Sequence, residues 1–146
     1  MTGLAIDDLR QAHARIAPFV RKTPVVKWSP QVTLKLEHLQ VGGSFKARGA
    51  FNKILTSETR GPVVTASGGN HGLGVAHAAH ARGLPSVIYL PESAPASTER
   101  RLLQLGATVH RHGRTWDDAW QKATQHPGLL VHPFEDPAVI AAYLGG

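Results

Sequence analysis

Short apolar runs recur along the second half of the chain at a nearly constant spacing. They are PVVTA (62–66), SVIYL (86–90), ATVHR (107–111) and LLVH (129–132), and their first residues lie 24, 21 and 22 positions apart. Each run is short and rich in residues that favour β-strands. Segments with helical periodicity lie between them. This alternation predicts right-handed βαβ crossovers and a parallel sheet.

The ends of these helical segments carry their own signals. Gly83 follows one helical pattern, where a left-handed C-terminal cap is expected. Thr115 precedes Asp118 by three residues, which is close to a capping box. Asp136 stands at an N-cap position with Pro137 at the first helical position, where the missing N–H of proline costs nothing.

The pattern before residue 61 is different. It predicts a helix around residues 5–17, strands near 24–27 and 32–37, and a helix from Ser44 to about Ser57.

Farther along, Trp116 and Trp120 lie one helical turn apart and share a face with two alanines. We therefore expect both indoles to be buried against the sheet.

Composition excludes several classes of protein. Apolar residues make up 42% of the 146 residues and charged residues 18%, which is typical of a folded domain and too polar for a membrane span. The first residues lack the pattern of a signal peptide. The absence of cysteine excludes disulfides and thiolate metal sites and favours the cytoplasm.

The net charge of +6 does not by itself indicate a nucleic-acid partner. The basic residues are scattered, and no basic block is interleaved with aromatic side chains. His77 and His80 share a helix face, but no carboxylate or cysteine accompanies them at ligand spacing, so no metal site is expected.

Lys46 is the first residue that raises a chemical question. It lies in EHLQVGGSFKARGA (37–50), just inside a predicted helix start. A helix N-terminus already carries about half a positive elementary charge, so a cation is unfavourable there. Lys46 is therefore either a solvated surface residue or a residue kept for its chemistry.

A second stretch, TASGGNHGLG (65–74), follows an apolar strand and opens a helix. Ligands of α/β sheets bind at such strand-to-helix turns, and the N-terminus of the helix favours an anion. The stretch is neither a dinucleotide fingerprint nor a Walker A loop. On its own it is also compatible with a plain tight turn capped by Asn70.

The two stretches together resemble the fold-type II pyridoxal-phosphate enzymes. Among these enzymes they resemble the group of threonine/serine dehydratases and serine racemases, and the matching residues are KLEHLQVGGSFKARGA and ASGGNHGLGVA. KTPVV (22–26), LPESAP (90–95), LGATV (105–109) and HPFEDPAVIA (132–141) extend the resemblance over nearly the whole chain. It implies an α/β fold of the tryptophan synthase β type, with a parallel-sheet βαβ open sandwich.

The resemblance also implies a role for individual residues. The family lysine matching Lys46 bonds to the aldehyde of pyridoxal 5'-phosphate and then acts as the base at the substrate Cα. Phe45 matches a residue beside the cofactor, although a plain core phenylalanine is nearly as compatible, and Asn70 matches the asparagine at the ring oxygen. The loop that takes the substrate carboxylate is matched by Ser67, Gly68, Gly69 and His71.

Two departures from the family pattern bear on function. Gly68 stands where serine racemases carry a serine that protonates the opposite face of Cα, so racemisation is disfavoured. About half of the usual enzyme is absent, including its phosphate-binding loop. By this comparison residues 1–58 are part of a large domain, 59–135 a complete small domain, and 136–146 the start of the return to the large domain.

The expected function is a lyase of amino-acid metabolism, an L-threonine/L-serine dehydratase, present as an N-terminal portion that is inactive alone. Its expected partners are a small amino-acid substrate and either further copies of the chain or a complementing C-terminal half, with no nucleic acid or membrane. Threonine synthase, serine racemase and a non-catalytic interaction module remain alternatives.

Overall fold

The computed structural model describes residues 3–145, in which strands and helices alternate after residue 60. The strands are β1 (Val25–Lys27), β2 (Thr33–Lys35), β3 (Val63–Ala66), β4 (Ser86–Leu90), β5 (Thr108–Arg111) and β6 (Leu129–Leu130). The helices are α1 (Ile6–Ile16), α2 (Lys46–Leu55), α3 (Asn70–Ala81), α4 (Ala96–Gln104), α5 (Trp116–Ala123) and α6 (Pro137–Leu144). Two short 3-10 helices, Glu37–Leu39 and Val41–Gly43, precede α2.

The central sheet is parallel, with strand order β5-β4-β3-β6. Strand β3 lies inside the sheet and is buried along its whole length, as its β-branched residues predict. The predicted α/β class and parallel sheet are thus confirmed. Strand β6 is shorter than the predicted 129–132, because Val131 still donates to Val64 but Pro133 has no N–H to extend the pairing.

Helices cover both faces of the sheet. One hydrophobic cluster joins β3 and β4 to α1, α2, α3 and α6, and a second packs α5 on the opposite face. On that second face Ala119 and Ala123 are fully buried, whereas Trp116 and Trp120 are only half-buried. The expectation of two buried indoles was therefore wrong, because the smaller alanines make the close contact. The division into 1–58, 59–135 and 136–146 stays a prediction.

Glycines allow helix α2 to approach its neighbours closely. A Cβ on Gly74 would lie 2.9 Å from the backbone nitrogen of Ala47 and 2.9 Å from the carbonyl carbon of Lys46. A Cβ on Gly49 would lie 2.6 Å from Val139 of α6. The start of α2 is consequently held against the first turns of α3, with α6 packed beside it.

Strands β1 and β2 form a separate antiparallel hairpin. All six of its paired residues are exposed. The second predicted strand ends earlier than expected, at Lys35, because the chain turns into the first 3-10 helix at Glu37. Within residues 3–145 no helix combines the length and the apolar character needed to cross a membrane.

Candidate active site

Lys46 is the first residue of α2, and its amine lies in a partly enclosed position. The Nζ atom donates to the carbonyl oxygen of Pro133 at 3.2 Å. It lies 5.0 Å from the ring centroid of Phe45 and 4.7 Å from that of Tyr143. These contacts stabilise the cation only weakly, since a carbonyl and two ring faces replace the carboxylate that usually pairs with a buried lysine.

Burial lowers the pKa of the Lys46 amine below its ordinary value. Removing an ammonium group from water disfavours its charged form, so the neutral amine is reached at a lower pH. A neutral amine is the form that attacks an aldehyde and that accepts a proton. The environment of Lys46 therefore favours a nucleophile or a base.

The loop between β3 and α3 is held in place by its own hydrogen bonds. The backbone N–H of Ser67 donates to Tyr89 on the neighbouring strand, and the Ser67 hydroxyl accepts from the N–H of Gly69 at 3.1 Å. Gly69 is the N-cap of α3 and Asn70 its first residue, with an exposed side chain. The first N–H groups of a helix have no intrahelical acceptor, so this end can bind a carboxylate.

His71 lies beneath this loop, with 5% of its surface exposed. The Thr65 hydroxyl donates to the carbonyl of Val131 at 2.7 Å, and His71 Nε2 lies 3.1 Å from the same carbonyl oxygen. Nε2 is therefore the protonated nitrogen of the ring. Burial lowers the pKa of His71 to about 4, a shift that the bond to Val131 opposes and the charges of Lys46 and His132 increase.

The imidazole of His71 is accordingly neutral at pH 7. Its Nδ1 atom is buried without a hydrogen-bond partner among the described residues. The ring thus lies beneath the loop, and the backbone N–H of His71 is among the first N–H groups of α3, which have no intrahelical acceptor.

Residues 131–133 connect the two motifs that the sequence separates. The carbonyl of Val131 accepts from Thr65 and His71, and the carbonyl of Pro133 accepts from Lys46. Gly74 holds the backbone of Lys46 against α3 from the other side. The structure therefore places the lysine motif and the glycine-rich loop next to each other.

Tyr143 is a site residue that sequence reasoning missed. Its hydroxyl donates to the Pro133 carbonyl at 3.3 Å, and its ring meets Phe45 edge-on at 4.9 Å. Burial, with a smaller effect of Asp136, raises the pKa of this phenol, so it stays protonated. No local motif marks Tyr143, because its position depends on α6 returning to α2.

Phe45 is 41% exposed beside the amine, so the interpretation of this ring as a core residue was wrong.

A cluster of aromatic side chains lies on the other side of the glycine-rich loop. The Trp116 indole donates to the carbonyl of Ala66 at 3.0 Å, one residue before Ser67. Trp116 also stacks on Trp120, and both rings meet His132 edge-on.

The donor set fits pyridoxal phosphate at its aldehyde and ring. Lys46 supplies a partly desolvated amine, Phe45 an exposed ring face, and Asn70 an exposed amide at the N-terminus of α3.

Among residues 3–145, no group of three His, Asp or Glu side chains is placed to hold a metal ion.

Comparisons with known proteins agree with this chemistry. A sequence model of the family described as pyridoxal-phosphate dependent enzyme matches residues 16–145. An L-threonine ammonia-lyase from Thermotoga maritima is 38% identical over 152 residues, covering 94% of this chain and 38% of that protein.

Two solved structures extend the comparison. A threonine deaminase from the organism abbreviated T.th. superposes with a TM-score of 0.85 at 36% identity, covering 95% of this chain and 48% of the other. A serine racemase from maize gives 0.85 at 32% identity, covering 94% and 46%. The chain thus spans less than half the length of these proteins.

Proposed function

Because the chain belongs to the family of pyridoxal-phosphate dependent enzymes, we propose that it is the lysine-bearing part of an L-threonine or L-serine ammonia-lyase. The reaction is elimination of the β-hydroxyl, followed by hydrolysis to a 2-oxo acid and ammonia. The observation that carries the proposal is the Lys46 amine, partly buried, with a lowered pKa, and held beside the N-terminus of α3. The likeness to an L-threonine ammonia-lyase and a threonine deaminase supports the choice of substrate.

When bound, pyridoxal phosphate supplies an electron sink for the negative charge that develops at the substrate Cα. Lys46 Nζ removes the Cα proton. The backbone N–H groups of Gly68 and His71 and the hydroxyl of Ser67 would bind the substrate carboxylate, and the Gly69 N–H, which donates to the Ser67 oxygen, would orient that hydroxyl. This contact fixes the orientation of Cα towards Lys46. The Asn70 amide would donate to the ring oxygen of the bound cofactor, and Phe45 would pack beside its ring.

The likeness to maize serine racemase makes racemisation the second candidate. Racemisation needs a proton donor on the face of Cα opposite to Lys46. At Gly68 a Cβ would lie 3.5 Å from Pro91 and 3.6 Å from Ala94, so a small side chain would fit. Glycine nevertheless supplies no hydroxyl there, which favours elimination.

The experiment is an assay of the chain assembled with the remaining part of such an enzyme, supplied from the Thermotoga maritima relative. We expect 2-oxobutanoate and ammonia from L-threonine, and loss of both with Lys46→Ala. Lys122→Ala, which changes an exposed lysine of α5, is the matched control and should retain activity. Turnover of a phosphorylated or O-acylated substrate without 2-oxo acid would contradict the proposal. Substantial D-serine, measured by chiral chromatography, would favour racemisation instead.

A further inference from the structure

The Lys46 amine lies in a corner between two aromatic rings. Its Nζ atom is 5.0 Å from the ring centroid of Phe45 and 4.7 Å from that of Tyr143. The two rings are nearly perpendicular, with an interplanar angle of 82°. The carbonyl oxygen of Pro133 borders a third side, where it accepts a hydrogen bond from Nζ. These three groups exclude water from part of the space around the amine.

The ring of Tyr143 is held in this corner by the absence of a side chain at Gly49. A Cβ at position 49 would lie 2.5 Å from Cε1 and 2.9 Å from Cζ of Tyr143. Gly49 follows Lys46 by nearly one turn of α2, so the ring packs on the backbone of the turn that carries the amine. Helix α6 is anchored on its buried side by Val139 and Ala142. The ring is therefore confined between α2 and α6.

The hydroxyl of Tyr143 makes a second connection to the amine. It donates to the carbonyl oxygen of Pro133 at 3.3 Å, and Lys46 Nζ donates to the same oxygen at 3.2 Å. A carbonyl oxygen has two lone pairs and can accept both bonds. The ring thus borders the amine, and the hydroxyl holds the acceptor of the amine.

We propose that Tyr143 is a positioning residue for Lys46, whose ring keeps water from the amine and whose hydroxyl holds the Pro133 carbonyl in place. The ring has the larger effect, because it controls solvation of the amine. The use of this amine as the base at Cα rests on the proposed function, whereas the effect of Tyr143 on its protonation does not.

Two effects of the ring oppose each other. A ring face attracts an ammonium group and favours its charged form. Loss of water disfavours the same form. Burial lowers the pKa of the Lys46 amine, so the loss of water outweighs the attraction. Removing the ring should therefore admit water and raise the pKa of this amine.

A substitution at position 143 changes no charge. Burial raises the pKa of the Tyr143 phenol, which stays protonated. Other titratable side chains lie on the elements packed around the amine, and they are His71, His132, Glu135, Asp136 and Lys53. Asp136 already pairs with Lys53 at 2.7 Å. A change in the pKa of Lys46 would accordingly come from solvent access.

The experiment is trace acetylation of the 146-residue chain with acetic anhydride over a range of pH, with a free amine as internal standard. Peptide mass spectrometry measures the labelling of Lys46. Labelling relative to its plateau at high pH reports the pKa of the amine, because accessibility cancels.

Two substitutions separate the ring from the hydroxyl. Tyr143→Phe keeps the ring and should retain the midpoint. Tyr143→Gln keeps a donor for the Pro133 carbonyl but lacks the ring. It should raise the midpoint, so that labelling at pH 8 relative to the plateau falls by about threefold or more. Leu144→Gln changes an exposed neighbour on α6 and is the matched control. If Tyr143→Gln is unfolded by circular dichroism, Tyr143→Leu, which is smaller but still apolar, replaces it and should shift the midpoint in the same direction.

Four results would overturn the role of Tyr143. They are an unchanged midpoint in Tyr143→Gln, a lowered midpoint in that variant, an equal rise in Tyr143→Phe, and an equal rise in Leu144→Gln. Borohydride trapping of pyridoxal phosphate on Lys46 is measured in the same samples. Trapping with equal midpoints overturns only the positioning role, whereas the expected midpoints without trapping contradict only the proposed function.

Discussion

Lys46 combines two properties, a position at a helix start and partial burial without a carboxylate partner among residues 3–145. The helix end and the desolvation act in the same direction, since both disfavour the ammonium form. The sequence predicted the first property from the position of the motif. It could not predict the second, because Pro133 and Tyr143, which reach the amine, lie 87 and 97 residues farther along the chain.

The first prediction concerns selective labelling of Lys46. Pyridoxal phosphate followed by borohydride should modify Lys46 preferentially, and the pH midpoint of labelling should lie below the ordinary lysine pKa of about 10.4, because burial lowers the pKa of this amine. Peptide mass spectrometry measures the adduct. Lys46→Arg should remove it, whereas Lys122→Arg should not. Adducts spread over surface lysines, with Lys46 unmodified, would refute the site assignment.

A second prediction concerns His71 and acid. Its pKa is about 4 in the folded chain and about 6.5 when unfolded, so between these values the unfolded state binds more protons. The contribution of His71 to stability is therefore fully present above pH 6.5 and is lost as the pH falls towards 4. Between pH 7 and pH 5 we expect a loss of about 2 kcal/mol.

Chemical denaturation at the two pH values measures this loss. The difference should shrink in His71→Asn and remain in His80→Gln, which changes an exposed histidine at the end of α3. An unchanged pH dependence in His71→Asn would show that other groups cause it.

At the scale of elements, the contact between α2 and α3 brings the two motifs together, and Gly74 makes it possible. Alanine is the better helix former by about 1 kcal/mol, yet its Cβ at position 74 would lie 2.9 Å from the backbone of Ala47. Backbone atoms cannot move aside as a flexible side chain can. The two helices would have to separate.

The third prediction follows from this contact. Gly74→Ala should lower the free energy of unfolding by about 1–3 kcal/mol despite the gain in helix propensity. Gly68→Ala is the control, because its Cβ would make ordinary contacts at 3.5 Å or more. Thermal melting of both variants measures the difference. Equal melting temperatures would mean that α2 and α3 adjust without cost.

Local signals predicted the elements well. Thr115 and Asp118 form the expected reciprocal capping box, and Asp136 caps α6 with Pro137 at its first position. Such signals act within a few residues, so they survive in any tertiary context. The partial burial of Trp116 depends on packing between distant segments, and the periodicity of the chain contains no information on that packing.

At the scale of the whole molecule, the proposed site draws on residues from both motifs. In the proposed function, the described residues provide the amine, the contact to the ring oxygen and the loop for the carboxylate. Much of the affinity of such enzymes for the cofactor comes from N–H groups that bind the phosphate dianion. The resemblance places those groups in the part that this chain does not match.

The fourth prediction is that the isolated 146-residue chain binds pyridoxal phosphate weakly and has no measurable dehydratase turnover. Each charge-assisted hydrogen bond contributes roughly 1.5–3 kcal/mol, so the absence of about three of them weakens binding by several powers of ten. Equilibrium dialysis measures the affinity, and release of 2-oxobutanoate measures turnover. Tight stoichiometric binding with steady turnover would require a phosphate site elsewhere in this chain.

The strand order of the sheet also has a consequence for synthesis on the ribosome. Strand β6 pairs with β3, although the residues of β3 precede it in the chain by more than sixty positions. The strand that covers this edge of β3 is therefore absent until residues 129–133 have been translated. The carbonyls that accept hydrogen bonds from Lys46 and His71 are absent for the same time. Nascent chains grow at about 5–20 residues per second, so β3 waits several seconds with one edge unpaired. An unpaired strand edge is a template for pairing with another chain, so we expect β3 to be open to such pairing during that interval.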